Sequence, residues 1–330
     1  MDKEFRSNLI EFLKAIHIPE HRIFKLISNV CFENVRVRLV TTKPKVLSSR
    51  DFGRYGQLRL RSITKDLIDY YNKVTDHPLR DVYPVVCQCN GLGYLKRPFI
   101  KEIISSCNGG KEVKEDVNDL FQIVYPSKDY VLNSIRPDVP VNMQNNDSTF
   151  KKGHLKTTCF RKYIPTEGRD RSLPRSHYCS IVVNNIVVVF IKPPNQPSKL
   201  CWVYAGSHSI SFSAWGCFES KQKRFRMNNY EIGVVLLPKN FVDYYNGDLK
   251  AKDWNQSIVE DDYLQNVDMG FQIPCEPFQD GEREFYLDLD IEDVFYVCLR
   301  YATMKLEFYL LRKAFYTLKS YPYYLECINT

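Results

Sequence analysis

His154-Leu-Lys156, Trp202-Val-Tyr-Ala-Gly-Ser207-His-Ser209-Ile-Ser211-Phe-Ser-Ala-Trp215-Gly216 and Asn229-Tyr-Glu231-Ile-Gly-Val-Val-Leu-Leu-Pro238 are the stretches on which the reading of this chain turns. Side chains alternate along a strand, so His154 and Lys156, two apart, point the same way. The small polar residues after the strand Trp202–Ala205 form a turn, and Ser211 opens a helix. Such a turn offers hydroxyls and backbone N–H groups to an anion. Together these features describe a phosphate site with a proton-transfer histidine and no metal.

Outward from that core, periodicity sets the remaining elements. Phe5 to Ile16 has helical spacing, with Leu9, Phe12, Leu13 and Ile16 on one face. Pro19 stops it, and a second helix runs to Ser28. Val35 to Val40 alternates valine and arginine as a half-buried strand does. Thr42 to Gly56 reads as a basic polar loop, Ile63 to Val74 as a helix stopped by Asp76-His-Pro78, and Val82 to Cys89 as a core strand. Ile100 to Cys107 is helical and ends at Asn108-Gly-Gly110, the glycine chemistry that helix C-termini prefer. Leu120 to Tyr125 is a buried strand. Residues 136–153 form a loop before His154, and Leu155 to Phe160 continues the strand that carries it.

A polar stretch from Arg161 to Pro174 precedes Cys179 to Ile191, which is strongly β-prone. There the Asn184-Asn185 pair is placed to turn a hairpin. Unpaired, such a run is an aggregation hazard. Two readings of it stay open, an added hairpin and retained non-coding sequence. Glu231 to Leu237 is again a strand, and Glu307-Phe-Tyr-Leu-Leu-Arg-Lys-Ala-Phe-Tyr-Thr-Leu-Lys319 has amphipathic helical spacing. No internal repeat is present. Strands interleaved with helices predict an α/β fold with a mixed sheet flanked by helices.

Composition bounds the rest. The 330 residues suffice for one large or two modest domains, and 44% apolar with 14% aromatic residues can fill a core. Lys and Arg number 46 against 39 Asp and Glu, for a net charge of +7. That excess suits a polyanion, although charge alone fits a solvated surface equally well. The eleven cysteines are scattered, odd in number and without a C-x-x-C pair, which predicts reduced, mostly buried thiols and no structural zinc. The N-terminus is charged, with no apolar signal region, and no run of about twenty apolar residues suggests a membrane span. A soluble, intracellular chain is the expectation.

The ordered segments resemble the tyrosyl-DNA phosphodiesterase family of the phospholipase D superfamily. Asn34-Val-Arg-Val-Arg-Leu-Val-Thr-Thr-Lys-Pro44 is similar to the strand and turn after the family's first catalytic motif. Tyr55-Gly-Gln-Leu-Arg-Leu-Arg-Ser-Ile63 is similar to its Trp-Gly-x-x-Arg-Leu segment, and Tyr83-Pro-Val-Val-Cys-Gln-Cys-Asn-Gly-Leu-Gly93 to its Trp-Pro-Val-Val-x-Gln segment. Leu120-Phe-Gln-Ile-Val-Tyr-Pro-Ser127 resembles its Ile-Tyr-Pro-Ser. Series of motifs in the right order are far more specific than any one of them. The likeness runs over roughly residues 5 to 245 and fails beyond about 290, where the family's usual tryptophan-containing end is not found.

A complete enzyme of this family carries two histidine–lysine motifs. Of His17, His21, His77, His154, His177 and His208, only His154 has a lysine two residues on. The resemblance therefore implies the second catalytic half. It implies a helical remnant of the first-half or linker region over 1–30, the phospholipase D-like half over 31–290 and a divergent segment over 291–330.

The implied reaction splits a phosphodiester through a phosphohistidine, with no cofactor and no metal. One histidine attacks phosphorus while the other protonates the leaving oxygen, a task that a pKa near neutrality suits. By resemblance, His154 is the general acid/base and Lys156 the phosphate clamp. Ser209 stands where the family places an asparagine, Ser211 matches a family serine, and Glu231 matches the glutamate that orients the general acid. Gly91 and Tyr94 replace two serines that touch DNA. A backbone N–H at Gly91 can meet a phosphate and Tyr94 can stack on a base, or they are a glycine turn and a packed tyrosine. Alone, His154 beside Lys156 reads as a surface pair, and the serine turn with Glu231 outweighs that. Ser209 and Ser211 also suit helix capping, and Glu231 also suits an exposed strand position. His208 is structural or incidental, and His177 has no assigned role. The basic run Lys221-Gln-Lys-Arg-Phe-Arg226 reads as a DNA contact, a weak nuclear signal or a solvated hairpin.

The implied substrate is DNA, single- or double-stranded, carrying a 3′-linked tyrosine or peptide, and the implied setting is DNA repair in the nucleus, away from any membrane. With one motif, three situations stay open: a truncated gene model, a pairing with a second copy or a missing first half, and an inactive DNA-binding module. A phospholipase-type lipid hydrolase is a fourth. Scattered Arg and Tyr favour DNA over an apolar lipid mouth.

Overall fold

The computed structural model describes residues 2–32, 35–74, 79, 81–89, 95–127, 159–165, 185–191, 199–219, 224–246, 271 and 274–279. Its helices are α1 (Asp2–Ala15), α2 (Glu20–Ile27), α3 (Gly56–Val74), α4 (Arg97–Cys107), α5 (Val117–Leu120), α6 (Phe212–Trp215) and α7 (Lys239–Asn246). The strands are β1 (Val37–Thr42), β2 (Lys45–Leu47), β3 (Val85–Gln88), β4 (Phe121–Tyr125), β5 (Phe160–Lys162), β6 (Asn185–Ile191), β7 (Lys199–Gly206), β8 (Cys217–Glu219), β9 (Arg224–Met227) and β10 (Glu231–Leu236). A seven-stranded sheet runs in the order β1-β10-β7-β6-β3-β4-β5, and β2-β9-β8 form a small second sheet. The fold is the mixed α/β arrangement expected.

Burial explains this arrangement. Every residue of β3 is buried, as are Cys201 to Tyr204 of β7. A strand buried on both faces reads as a continuous apolar run, which these segments are. The pairs β3–β4 and β4–β5 are parallel, and the crossover that a parallel pair requires is supplied between β3 and β4 by α4 and α5. Leu60, Ile63, Leu67, Tyr70 and Tyr71 recur along α3 at helical spacing and enter the same core as Trp202, Tyr204 and Trp215. α4 ends as expected, with Gly109 and Gly110 at positive φ (69° and 89°) and Asn108 bonding back to the Ile104 carbonyl. The buried thiols of Cys107 and Cys201 are held protonated, because burial pushes both well up, Cys201 to about 12.

Two expectations fail here. Thr42 to Gly56, expected as loop, contains β2 and a 3-10 turn at Ser49–Asp51. Three residues are too few to show a period, and β2 gains its ladder only from the distant β9. Asn185, expected in a hairpin turn with Asn184, instead opens β6, which pairs antiparallel with both β7 and β3; Asn184 lies outside the described residues. The β-prone run Ile186-Val-Val-Val-Phe-Ile191 is thus no appendage. It lies between β7 and β3, mid-sheet.

The first helix is tied to the sheet by charge. Glu4 bonds both Arg38 of β1 (3.2 Å) and Arg59 of α3, and Arg38 also meets Asp66 at 2.6 Å and stacks on Tyr245 at 4.4 Å. Burial alone would raise the Glu4 carboxyl, but the Arg59 and Arg38 guanidiniums outweigh it and hold it below its ordinary 4.5. A depressed carboxylate pKa adds stability above the unfolded-state pKa, and that stability is lost as pH falls through the folded-state value. Glu4→Gln is therefore expected to cost about 2 kcal/mol at neutral pH, less than a fully buried pair because Glu4 is a third exposed. It should also flatten the fall in stability on acidification. Denaturant melts across acid to neutral pH check both, and an unchanged acid limb would refute the assignment.

Candidate functional site

The segment after β7 alternates strictly. Ser207 is exposed, His208 buried, Ser209 half-buried, Ile210 buried and Ser211 half-buried. Three hydroxyls thus share the outer face, while His208 and Ile210 anchor the inner one, as the period of two in extended chain requires. Ser209 Oγ and Ser211 Oγ lie 3.4 Å apart, and Ser211 Oγ also accepts from the Ala214 N–H at 3.2 Å. Ser211 is therefore the N-cap of α6, as one reading held, and its hydroxyl remains directed at Ser209. Only one of the two hydroxyl protons is engaged between them, so the pair keeps one donor for an outside acceptor.

Across from this face stands Glu231, at the start of β10. Ser207 Oγ donates to Glu231 Oε2 at 2.5 Å and accepts from Ile232 N–H at 3.0 Å, while Asn229 Nδ2 donates to Glu231 Oε1 at 3.0 Å. The carboxylate is held on both oxygens by charge-assisted bonds, the strong kind. Glu231 is not the isolated surface carboxylate of the rival reading. The sequence reading assigned no role to Ser207 or Asn229. The available signal was spacing: Ser207 shares the period of Ser209 and Ser211, and Asn229 sits two residues before Glu231.

Beneath the turn lies a buried aromatic anchor. His208 Nδ1 is bonded to the Tyr204 hydroxyl, and the His208 ring packs on Trp215 at 4.5 Å. Burial drives the His208 pKa down to about 3 and the Tyr204 phenol well up, so both stay neutral near pH 7. His208 is structural, as one alternative held. Room for the Tyr204 hydroxyl is made by Gly206 and Gly233, paired across β7 and β10, where any Cβ would overlap it.

A second anchor joins distant motifs. A Cβ on Gly56 would overlap the Trp215 carbonyl, and the buried Gln57 donates from Nε2 to the Gly216 carbonyl at 2.7 Å. The Tyr55-Gly-Gln segment and the Trp215-Gly216 segment are thus two sides of one contact. Likewise, Asn108 takes the Tyr83 N–H at 2.8 Å and returns a bond to its carbonyl, setting the entry into β3.

His154, Lys156, Gly91 and Tyr94 lie outside the described residues, as do His177, Lys221 and the segment 307–319. The described strand downstream of His154 is β5, at the sheet edge beside β4. Of the basic run, Arg224 and Arg226 both face Glu219 across the β8–β9 hairpin, with Arg224 Nε 3.7 Å away. Both arginines remain largely exposed and share this one carboxylate, and residues 221–223 of the run lie outside the described residues. Among the described residues, no three His, Cys, Asp or Glu side chains are grouped to hold a metal ion.

Comparison with known proteins matches this arrangement. The sequence fits the family model described as tyrosyl-DNA phosphodiesterase over residues 1–279. It is 23% identical over 257 residues to tyrosyl-DNA phosphodiesterase 1 of Arabidopsis thaliana, covering 71% of this chain and 38% of that protein. Two crystal structures of mutant yeast tyrosyl-DNA phosphodiesterase superpose with TM-scores of 0.56 and 0.55 at 17% identity. They cover 86% and 87% of this chain and 65% and 66% of theirs, and at that identity they bear on fold alone. The chain thus spans well under half of the Arabidopsis relative and about two thirds of the yeast chains. With the family's model matched over 1–279 of 330 residues and its fold reproduced, this chain belongs to the tyrosyl-DNA phosphodiesterase family.

Proposed function

We propose that this chain supplies one half-site of a DNA-repair phosphodiesterase that hydrolyses a 3′-phosphotyrosyl bond, and that it works on nuclear DNA. In this reading Lys156 and the free hydroxyl of the Ser209–Ser211 pair hold the non-bridging phosphate oxygens. His154 protonates the departing phenolate and then takes a proton from water, and Glu231 fixes its tautomer. Gly91 and Tyr94 line the path of the DNA strand. The nucleophilic histidine comes from a second histidine–lysine half, whether a separate first half or a second copy of this chain. The observation that carries the reading is the outward row of Ser207, Ser209 and Ser211, with Ser207 bonded to a Glu231 held on both oxygens.

Release of tyrosine from a 3′-phosphotyrosyl oligonucleotide tests it. If a second copy supplies the nucleophile, activity rises with the square of protein concentration at dilute levels. A strictly first-order rate would refute that pairing. Salt-sensitive DNA binding without turnover would reduce the chain to a binding module. Ser209→Asn, which adds reach and a second donor, is expected to tighten binding of a 3′-phospho-oligonucleotide about threefold. Unchanged or weaker binding would remove Ser209 from the phosphate contact.

A further inference from the structure

We propose that the row Arg22, Leu26 and Val30 on α2, with Lys25 beside it, is the docking surface for Asp288-Leu-Asp-Ile-Glu-Asp-Val-Phe295 of this same chain, a segment outside the described residues. The contact is independent of the half-site reading. α2 buries only Ile23 and Ile27. Six large apolar side chains are exposed among the described residues, and three of them, Phe24, Leu26 and Val30, fall within this one short stretch. Arg22, Leu26 and Val30 are spaced by four, which sets them in one row of a helical surface. The turn continues to Val30, whose N–H donates to the Ile27 carbonyl at 3.3 Å. Lys25, three residues after Arg22, borders the row. Phe24 stands on the other flank, about 160° from Leu26 around the helix axis. Glu20 is taken up by Lys14 at 2.6 Å, whereas Arg22 and Lys25 have no ion pair with any described residue.

The occupant must bring apolar side chains and negative charge together. Aliphatic side chains offer no platform on which a base can stack, so the row suits a peptide and not a nucleic acid. Residues 288–295 hold four carboxylates, four apolar side chains and no cation, in a chain whose net charge is +7. Ile291, Val294 and Phe295 recur at helical spacing, bordered by Asp290 and Glu292. That pattern is the complement of an apolar row bordered by cations. The reach is sufficient. α1 runs beside β1, with Glu4 on Arg38 and Glu11 on Lys43 at 3.0 Å, and Phe32 beyond α2 returns to Phe5 at 6.1 Å, so α2 stands at the β1 edge of the sheet. Gln279 ends the described chain near β5, the other edge, where the Lys162 N–H donates to the Glu276 carbonyl at 2.7 Å. Six interstrand steps and one helix diameter span about 40 Å. Asp288 to Phe295 lie nine to sixteen residues past Gln279, an extended reach of about 30–55 Å.

The test places a photoreactive benzoylphenylalanine in place of Leu26 in the full chain, and the irradiated protein is digested and read by mass spectrometry. Crosslinks are expected within residues 288–295 of the same molecule, about fivefold more than from the same probe in place of Phe24 on the other flank. Arg22→Glu with Lys25→Glu should lower the yield about fivefold, because like charges then face each other. Asp290→Lys with Glu292→Lys in that background should restore most of it. Arg22 and Lys25 are exposed, so an unchanged circular dichroism spectrum separates the effect from misfolding. Isotope-labelled and unlabelled chains mixed before irradiation reveal contact between copies. Crosslinks joining two molecules make a second copy the occupant and overturn the proposal. So do crosslinks to residues 247–270, where Glu260-Asp-Asp262 is a rival acidic run, a yield that charge reversal leaves unchanged, or the absence of any crosslink to protein.

Discussion

A Gly216→Ala chain is expected to lose about 4 kcal/mol of folding stability, enough to lower the midpoint of thermal unfolding by about 10 °C. Gly216 has φ 84° and ψ 159°, a region that glycine alone enters readily. Occupying it with a side chain costs about 1–3 kcal/mol. A Cβ there would also overlap the Phe225 ring and come within 2.8 Å of Met227 Cγ. Both neighbours belong to the small core of Leu47, Tyr55, Leu58, Phe225 and Met227 beneath the second sheet, so neither can give way without repacking it, which adds about 1–3 kcal/mol. The Gln57 bond to the Gly216 carbonyl is strained in the same movement. Equilibrium unfolding of the two chains measures the difference, and a loss below about 1 kcal/mol would mean that the turn relaxes freely.

Under the proposed reaction, with Glu231 orienting the general acid, Glu231→Gln is expected to lower turnover of a 3′-phosphotyrosyl oligonucleotide about 30- to 100-fold, with KM within about twofold, since outer groups that orient a catalytic side chain are worth that much. The amide keeps the shape but not the charge. Ser207 and Asn229 both donate to the carboxylate, and an amide offers one acceptor oxygen to two donors. The side chain must therefore turn or lose a bond, and the negative charge that supports an imidazolium is gone. Glu231→Asp keeps the charge and shortens the reach, so partial recovery is expected. A loss under about threefold for the glutamine variant would assign Glu231 to the turn's architecture alone.

Much of the fold was legible because its strands are short, apolar and bounded. Val82–Cys89, Leu120–Tyr125, Trp202–Ala205 and Glu231–Leu237 were each read to within a few residues, as was the glycine stop of α4. β2 was not, since three residues have no period of their own. The role of 185–191 was not, since its composition announces a strand but not its neighbours. At the candidate site, Ser209, Ser211 and Glu231 were singled out by resemblance, and the structure pairs the two serine hydroxyls and bonds Glu231 to Ser207. Ser207 escaped because its bond to Glu231 joins two strands far apart in the chain, whereas Asn229, two residues before Glu231, was within reach of a local reading.

The amino-acid order by itself determined most of the longer strands and helices, the glycine stop of α4, and that a serine row of period two precedes a one-turn helix, because these depend on neighbours a few residues away. Tertiary structure alone decided that Gly56 abuts Trp215, that Gln57 holds Gly216, that Gly206 and Gly233 clear space for Tyr204, and that Ser207 meets Glu231. Each of these joins residues far apart in the chain, and their closeness is set by sheet register and core packing. No local pattern encodes those, because the free energy that fixes them comes from burying the whole core at once.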